Sequence, residues 1–402
     1  MTTLANEKQI LMLSLFEEKE IKIIIQHWIR ILHVKFGWLQ DFDKIVVNYV
    51  TIIFMFDVFH LSSKLLKTFI GHTDDVCGID YSAFDDNQMI CSGSIDKTIR
   101  VWDVNKNKQI RLFNEHLYAV YCVKFSQYHQ HKNSNNVICY SSLDTAIHFW
   151  DINDNKQLQI LNGHTNWISC IEFSTFNSGR YLCSGSNDDS IRLWDIETFE
   201  SLHVFNGHTN TVRCVDFSKL QNNNNNKSND IGVIGGNGYT ICSGSFDKTI
   251  RVWDIETAKQ FIIFKGHEDS LYSVKYGSNK NTILSGSIDK SVRLWDIRFN
   301  QQIQIFHGHT RGITCVEYSP FVVNNIEIGD NSNVICSGSF DNTIRFWDIR
   351  SNKKELYIIK GNEKENCGIL CIKFLQIKSS YSDFDINMCY GSSNGYICIW
   401  GN

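Results

Sequence analysis

The chain has 402 residues, 43% of them apolar and 13% aromatic, enough to fill a sizeable core in one large domain or two ordinary ones. Its formal charge of −4 leaves no basic excess of the kind that neutralises phosphates or anionic lipid, so nucleic acid is not implied as a partner.

In chain order, the opening MTTLANEKQ carries mixed charge ahead of any apolar run, and no secretory leader is expected. Ile21, Ile24, Ile25, Trp28, Ile31 and Leu32 then share one helical face, and after Gly37 a second stripe runs Phe42, Ile45, Tyr49, Ile52, Ile53, Phe56. This predicts a short helical hairpin within an N-terminal extension, residues 1–62. The run IVVNYVTIIFMF at 45–56 is broken by Asn48 and Thr51 and is well short of the ~20 residues that span a bilayer, so no membrane span is expected.

From residue 63 onward the chain repeats itself. Trp102, Trp150, Trp194, Trp253, Trp295, Trp347 and Trp400 each follow an Asp or Asn by six residues: Asp96, Asp144, Asp188, Asp247, Asp289, Asp341 and Asn394. Upstream stand His72, His116, His164, His208, His267 and His309, with Asn362 in the seventh place. Each unit reads as short β-branched and aromatic runs bounded by turn residues, such as VYCVKFS, VICYSS, AIHFWDI and KQLQILNGH in the second. Four strands per unit at a pitch of roughly 40 to 60 residues predict propeller blades. The last unit ends on GYICIWGN, its third strand, while SKLLKTFI at 63–70 has no blade of its own. The two are expected to share one blade and so close a seven-bladed, all-β propeller over residues 63–402.

These in-register units resemble the WD40-repeat (WD-repeat) family. The resemblance implies that in each blade the turn Asp pairs with the Gly-His imidazole, which bonds a second-strand Ser, which in turn meets the Trp indole. The sets it implies are His72, Ser92, Asp96 and Trp102 in the first blade, and His164, Ser184, Asp188 and Trp194 in the third. The fourth, fifth and sixth carry His208, Ser243, Asp247 and Trp253; His267, Ser285, Asp289 and Trp295; His309, Ser337, Asp341 and Trp347. The second unit has Tyr140 at the serine place, and the seventh has Asn362, Tyr390 and Asn394.

An Asp, a His and a Ser together also suggest a hydrolase triad, but a triad is a single strained constellation, whereas this set recurs around the chain. GxSxG, P-loop and GxGxxG motifs are all lacking, so no enzyme activity and no cofactor are expected. Eleven of the fourteen cysteines fall at two repeated offsets, on the first strand or just before Ser-Gly-Ser, where they act as small core hydrophobes. Without paired CxxC spacing no metal is expected, and so many free thiols suit the cytoplasm or nucleus.

The family resemblance implies that the residue before each turn Asp projects near the rim. Ile95, Leu143, Phe246, Ile288 and Phe340 are large and apolar there, against Asn187 and Ser393, and such a ring suggests an interface. Flanking the first strands are Tyr121, Trp167, Arg213 and Tyr272. Tyr121 and Tyr272, three blades apart, are expected to face each other across the channel, a geometry resembling arginine-peptide readers of the family. Units five and six end in WDIR, with Arg298 and Arg350, which resembles the box by which WD-repeat substrate receptors dock to cullin-RING ubiquitin ligases. Insertions at 126–136, 218–238 and 319–333, rich in Asn, Ser and Gly, are expected to be mobile loops between first and second strands. The leading expectation is a non-catalytic scaffold or adaptor that gathers protein or peptide partners on the rim; the ligase receptor and the arginine-peptide reader are the alternatives.

Overall fold

The computed structural model of the protein describes residue 59 and residues 63–84, 87–114, 118–133, 136–218, 239–277, 281–319, 334–350, 355–361, 367–377 and 385–401. By its packing the chain divides into two units, Met1–Val58 with Val323–Ile326, and Phe59–Val322 with Glu327–Asn402. The expected helical hairpin lies outside the described residues.

The second unit is all-β, a seven-bladed propeller. Seven four-stranded antiparallel sheets form the blades, at residues 76–113, 120–162, 168–206, 212–265, 271–307, 313–360 and 369–401. Blade one shows the plan: Val76–Phe84 innermost, then Asn87–Ser94, Ile99–Asp103 and Lys108–Phe113 at the outside. Blade seven has only three strands of its own and takes Lys64–Phe69 as its fourth, with Lys64 opposite Gly401 and Phe69 opposite Ile397. The closure expected from the sequence is therefore the closure found, and it leaves no blade with an unfilled outer position.

Each blade is closely hydrophobic where the next covers it. One cluster, for example, joins Tyr181, Cys183 and Phe205 of blade three to Val212, Val215 and Trp253 of blade four. The Ser-Gly-Ser segments are fully buried because only small residues fit there: a Cβ on Gly244 would sit 2.7 Å from Cys214 Sγ and 2.9 Å from Val274 Cγ1.

Two local devices place the functional surface. The turn between second and third strands puts the residue after the Asp or Asn at positive φ, from 61° at Asn342 to 70° at Lys290, and 82° at Gly395. That geometry is held by the Asp itself, whose Oδ1 accepts from the amide two residues on, as in Thr98 N to Asp96 Oδ1 at 2.9 Å. Second, all seven innermost strands are irregular after their first residue, between Val76 and Gly78, Val120 and Cys122, Val212 and Cys214, Leu271 and Ser273, and at the matching places elsewhere. A bulge re-aims the extra residue, and here those residues include Tyr121, Arg213 and Tyr272. They line a central cavity of about 150 Å³.

The insertion at 126–136 departs from expectation. Its residues Gln127–Asn133 form a short helix tied to three blades. Gln130 Nε2 donates to Ser82 of blade one (2.8 Å), His129 pairs with Ser126 of its own blade (2.7 Å), and Lys132 meets Glu197 of blade three (2.6 Å). Asn and Ser content predicted mobility, but long-range side-chain contacts order the segment. The other two insertions lie almost wholly outside the described residues.

Candidate functional site

The recurring polar residues form a directional hydrogen-bond chain. In blade one the Trp102 indole, which can only donate, gives its proton to Ser92 Oγ at 2.9 Å. The Ser92 hydroxyl lies 2.8 Å from His72 Nε2, and His72 Nδ1 lies 2.8 Å from Asp96 Oδ2. The consistent assignment is Trp to Ser to His to Asp, with the imidazole neutral and its proton on Nδ1. In blades three to six, His164, His208, His267 and His309 make the same links with their Ser, Asp and Trp partners, all between 2.7 and 2.9 Å. The second serine of Ser-Gly-Ser has its own task, unread from the sequence: Ser94 Oγ accepts from Asp96 N at 3.1 Å and donates to Asp74 O at 3.2 Å.

Burial holds His164, His208 and His267 below the ordinary imidazole value of 6.5, partly offset by their aspartates. For Asp188, Asp247 and Asp289 burial acts upward, but hydrogen bonds from the histidine and the turn outweigh it and hold each carboxyl well below its usual range. Both shifts act in one direction. Stability from these groups is present above the unfolded values and is lost as the pH falls through the folded ones, beginning below 6.5 for the histidines. The thermal midpoint is therefore expected to fall on acidification, with a shallower decline for His208→Gln; equal slopes in the two proteins contradict this.

Blade two solves the problem differently. His116 lies outside the described residues, and Asp144 Oδ2 sits 2.8 Å from Nε2 of His148, a third-strand residue. The His148 ring stacks on Tyr140 at 4.8 Å, nearly parallel at 7°. Tyr140 thus supplies a stacking face where other blades have a serine, and Trp150 turns its indole to Asn155 Oδ1 at 3.4 Å. The signal was a histidine where five other blades have arginine. In blade seven Asn394 Oδ1 accepts from Ser392 Oγ at 2.5 Å, while Asn362 lies outside the described residues and Tyr390 is buried.

In the five complete networks the histidine and the serine are buried. Among the described residues no three His, Cys, Asp or Glu are placed to hold a metal ion. All fourteen cysteines are unbridged. Burial pushes the thiols of Cys77, Cys170 and Cys315 up to about 12, so they are poor nucleophiles.

The rim carries a connected aromatic arc. Phe246 stacks on Tyr272 at 5.4 Å, and Tyr272 meets the edge of Phe340 at 6.2 Å. Tyr121 stacks on Trp167 at 5.0 Å. All five rings are half-buried, as are Ile95 and Ile288, and Leu143 is exposed. The rim side chains lean on the next blade: Ile288 Cδ1 and Phe340 Cδ1 occupy the places that a Cβ on Gly312 and Gly368 would need. Tyr121 and Tyr272 both line the central cavity, and Arg213 lies there with them. Arg213 lies over the Tyr272 ring at 5.4 Å and donates to Ser169 O at 3.0 Å, so the protein's own cation fills that face.

The two WDIR arginines also have partners within their own turns. Arg298 reaches Asp296 through Nε and Nη2, at 3.3 and 2.9 Å, and Arg350 reaches Asp348 at 2.9 and 2.9 Å. Arg180 binds Asp195 in the same bidentate way in blade three without any WDIR sequence. The recurrent role of this Asp is to accept the amides of the turn that follows, and in four blades it also meets a cation.

A further group escaped the sequence reading. The fifth residue of every innermost strand is charged: Asp80, Lys124, Glu172, Asp216, Lys275, Glu317 and Lys373. Asp80, Lys124, Glu172 and Lys373 also line a polar cavity of about 300 Å³ beside the short helix. The signal was available, since one charge per repeat at a fixed place in an otherwise apolar strand is itself periodic.

A closed ring of four-stranded blades, five of them locked by an indole-to-carboxylate chain, defines a β-propeller whose usual role is to hold protein partners. Residues 63–103, 107–151, 155–195, 199–254, 258–296 and 300–348 match the family described as WD domain, G-beta repeat, and the chain belongs to this WD40-repeat family. Local similarity extends to a component of chromatin assembly factor 1 of Mus musculus, 40% identical over 52 residues, 13% of this chain and 9% of that protein. Mitochondrial division protein 1 of Kluyveromyces lactis is 32% identical over 66 residues, 16% of this chain and 9% of that protein. Cell division control protein 4 of Saccharomyces cerevisiae is 39% identical over 46 residues, 11% and 6% respectively. The matched stretches span less than a tenth of each of these relatives. No helix among the described residues is long and apolar enough to cross a membrane.

Proposed function

We propose that this chain is a non-catalytic scaffold that binds protein or peptide partners on the propeller rim, around the bulged channel mouth. The observation that carries this reading is the continuous arc Phe246–Tyr272–Phe340, half-buried and braced by Arg213, which offers preorganised aromatic surface at little entropic cost. Unbridged cysteines throughout suit a reducing compartment, and we place the protein in the cytoplasm or nucleus.

The test compares partners captured by the full chain with those captured by a Phe246→Ala, Tyr272→Ala, Phe340→Ala variant whose thermal unfolding is checked in parallel. Rim binding predicts at least about a tenfold loss of affinity for a partner identified with the wild-type protein, as expected when aromatic anchors are truncated. Undiminished binding by the folded variant removes the rim from consideration. The ligase-receptor reading has less support, because Arg298 and Arg350 each have a carboxylate partner in their own turn. The arginine-peptide reading is likewise weakened by Arg213 on the Tyr272 face.

A further inference from the structure

Around the propeller the seven charges of the innermost strands run Asp80, Lys124, Glu172, Asp216, Lys275, Glu317, Lys373. Neighbours alternate in sign at every step but one, the step from Glu172 to Asp216. Seven is odd, so perfect alternation is impossible, and blades three and four carry the mismatch. The three lysines are all engaged. Lys124 pairs with Glu172 at 2.7 Å, Lys373 with Asp80 at 2.8 Å, and Lys275 lies 3.7 Å from both Glu172 and Glu317. Asp216 has no ion-pair partner among the described residues; its Oδ2 accepts from the Tyr276 amide at 2.8 Å.

We propose that Asp216 makes the closed ring acid-responsive: in mildly acidic medium the folded propeller takes up a proton there, leaving three lysines balanced by three carboxylates. The charges acting on Asp216 come from blades three, five and six. Glu172 of blade three and Glu317 of blade six repel its charge, and Lys275 of blade five attracts it but is already shared between those two glutamates. Behind it stand the buried thiols of Cys183 and Cys242 and the phenols of Tyr276 and Tyr318. Burial is the largest influence, and with the two glutamates it outweighs Lys275 and the Tyr276 amide, pushing the carboxyl up to about 6. Glu172, by contrast, is held down to about 2 because Lys124, Lys275 and Lys373 outweigh the same burial. The two neighbouring acids thus divide their roles.

The folded ring holds this proton more tightly than the unfolded chain does. The contribution of Asp216 is fully present below the ordinary carboxyl value of 3.8 and is lost as the pH rises through about 6, opposite in sign to that of the histidine networks. Asp216→Asn isolates it, because the amide keeps an oxygen for the Tyr276 N–H and never ionises. Thermal unfolding of the full chain and of this variant is followed from about pH 4.5 to 8. The variant is expected to melt several degrees higher than wild type above about pH 7, with the gap closing near about pH 5. A gap that does not change with pH, or a variant weaker than wild type at every pH, overturns the proposal. Should the variant fold poorly, the carboxyl carbon of Asp216 is titrated by NMR in the wild-type chain: a midpoint near about 6 supports the proposal, and one in the ordinary carboxyl range overturns it.

Discussion

Replacing Trp253 by alanine is expected to cost about 3–5 kcal/mol of stability, more than the same change at Trp400. Trp253 is 1% exposed, packs 5.9 Å from Phe205 on the facing blade, and belongs to the cluster that joins blades three and four. Its outer ring edge fills the space in which a Cβ on Gly207 would otherwise sit, 3.0 Å away. Alanine leaves a cavity that the β-scaffold on both sides prevents from collapsing, and it removes the donor to Ser243 at the head of the Ser243–His208–Asp247 chain. Trp400 is only half-buried, and its blade has Asn394 and Tyr390 where five other blades have aspartate and serine. Denaturant midpoints of the two variants measure the difference, and equal losses contradict the ranking.

Gly395→Ala is expected to destabilise the ring by about 2–4 kcal/mol, and Gly395→Asn by a similar amount. The positive φ alone does not account for this, because Lys97, Thr145, Asp189, Lys248, Lys290 and Asn342 adopt it at the equivalent turns. What sets Gly395 apart is its neighbour: a Cβ there would lie 2.3 Å from the carbonyl oxygen of His72 and 2.8 Å from its carbon, both backbone atoms that cannot rotate away. The seventh turn presses on the loop of blade one at the point where the ring closes. Asparagine tolerates the left-handed conformation well, so a loss with asparagine equal to that with alanine assigns the cost to the contact, and rescue by asparagine assigns it to φ. Thermal unfolding of the two variants distinguishes these outcomes.

Much of the propeller was legible before any coordinates. The constant six-residue step from Asp to Trp marks a rigid hairpin, and a hairpin repeated seven times can hide its apolar face only against another copy of itself. The orphan strand at 63–70 then had one place to go, beside Ile397–Gly401. Periodicity also hid what it averaged over. Blade two departs from the pattern, and His148 reaches Asp144 only because the third strand brings the two together across the turn. The ordered helix Gln127–Asn133 arises from contacts with residues 48 and 65 positions away, which composition does not register.

The sequence by itself determined the number of blades, the closing strand and which residues would be interior, because these follow from local hydrogen-bond and burial requirements repeated along the chain. Only the tertiary structure decided which side chains remain available. Proximity across blades places Arg213 on Tyr272 and leaves Asp216 as the odd carboxylate in a seven-membered ring, while the local fold of the turns ties Arg298 and Arg350 to their own aspartates. The contact of Arg213 with Tyr272 and the ring of charges depend on distances through space between residues far apart in the chain, and those distances exist only once the ring is closed.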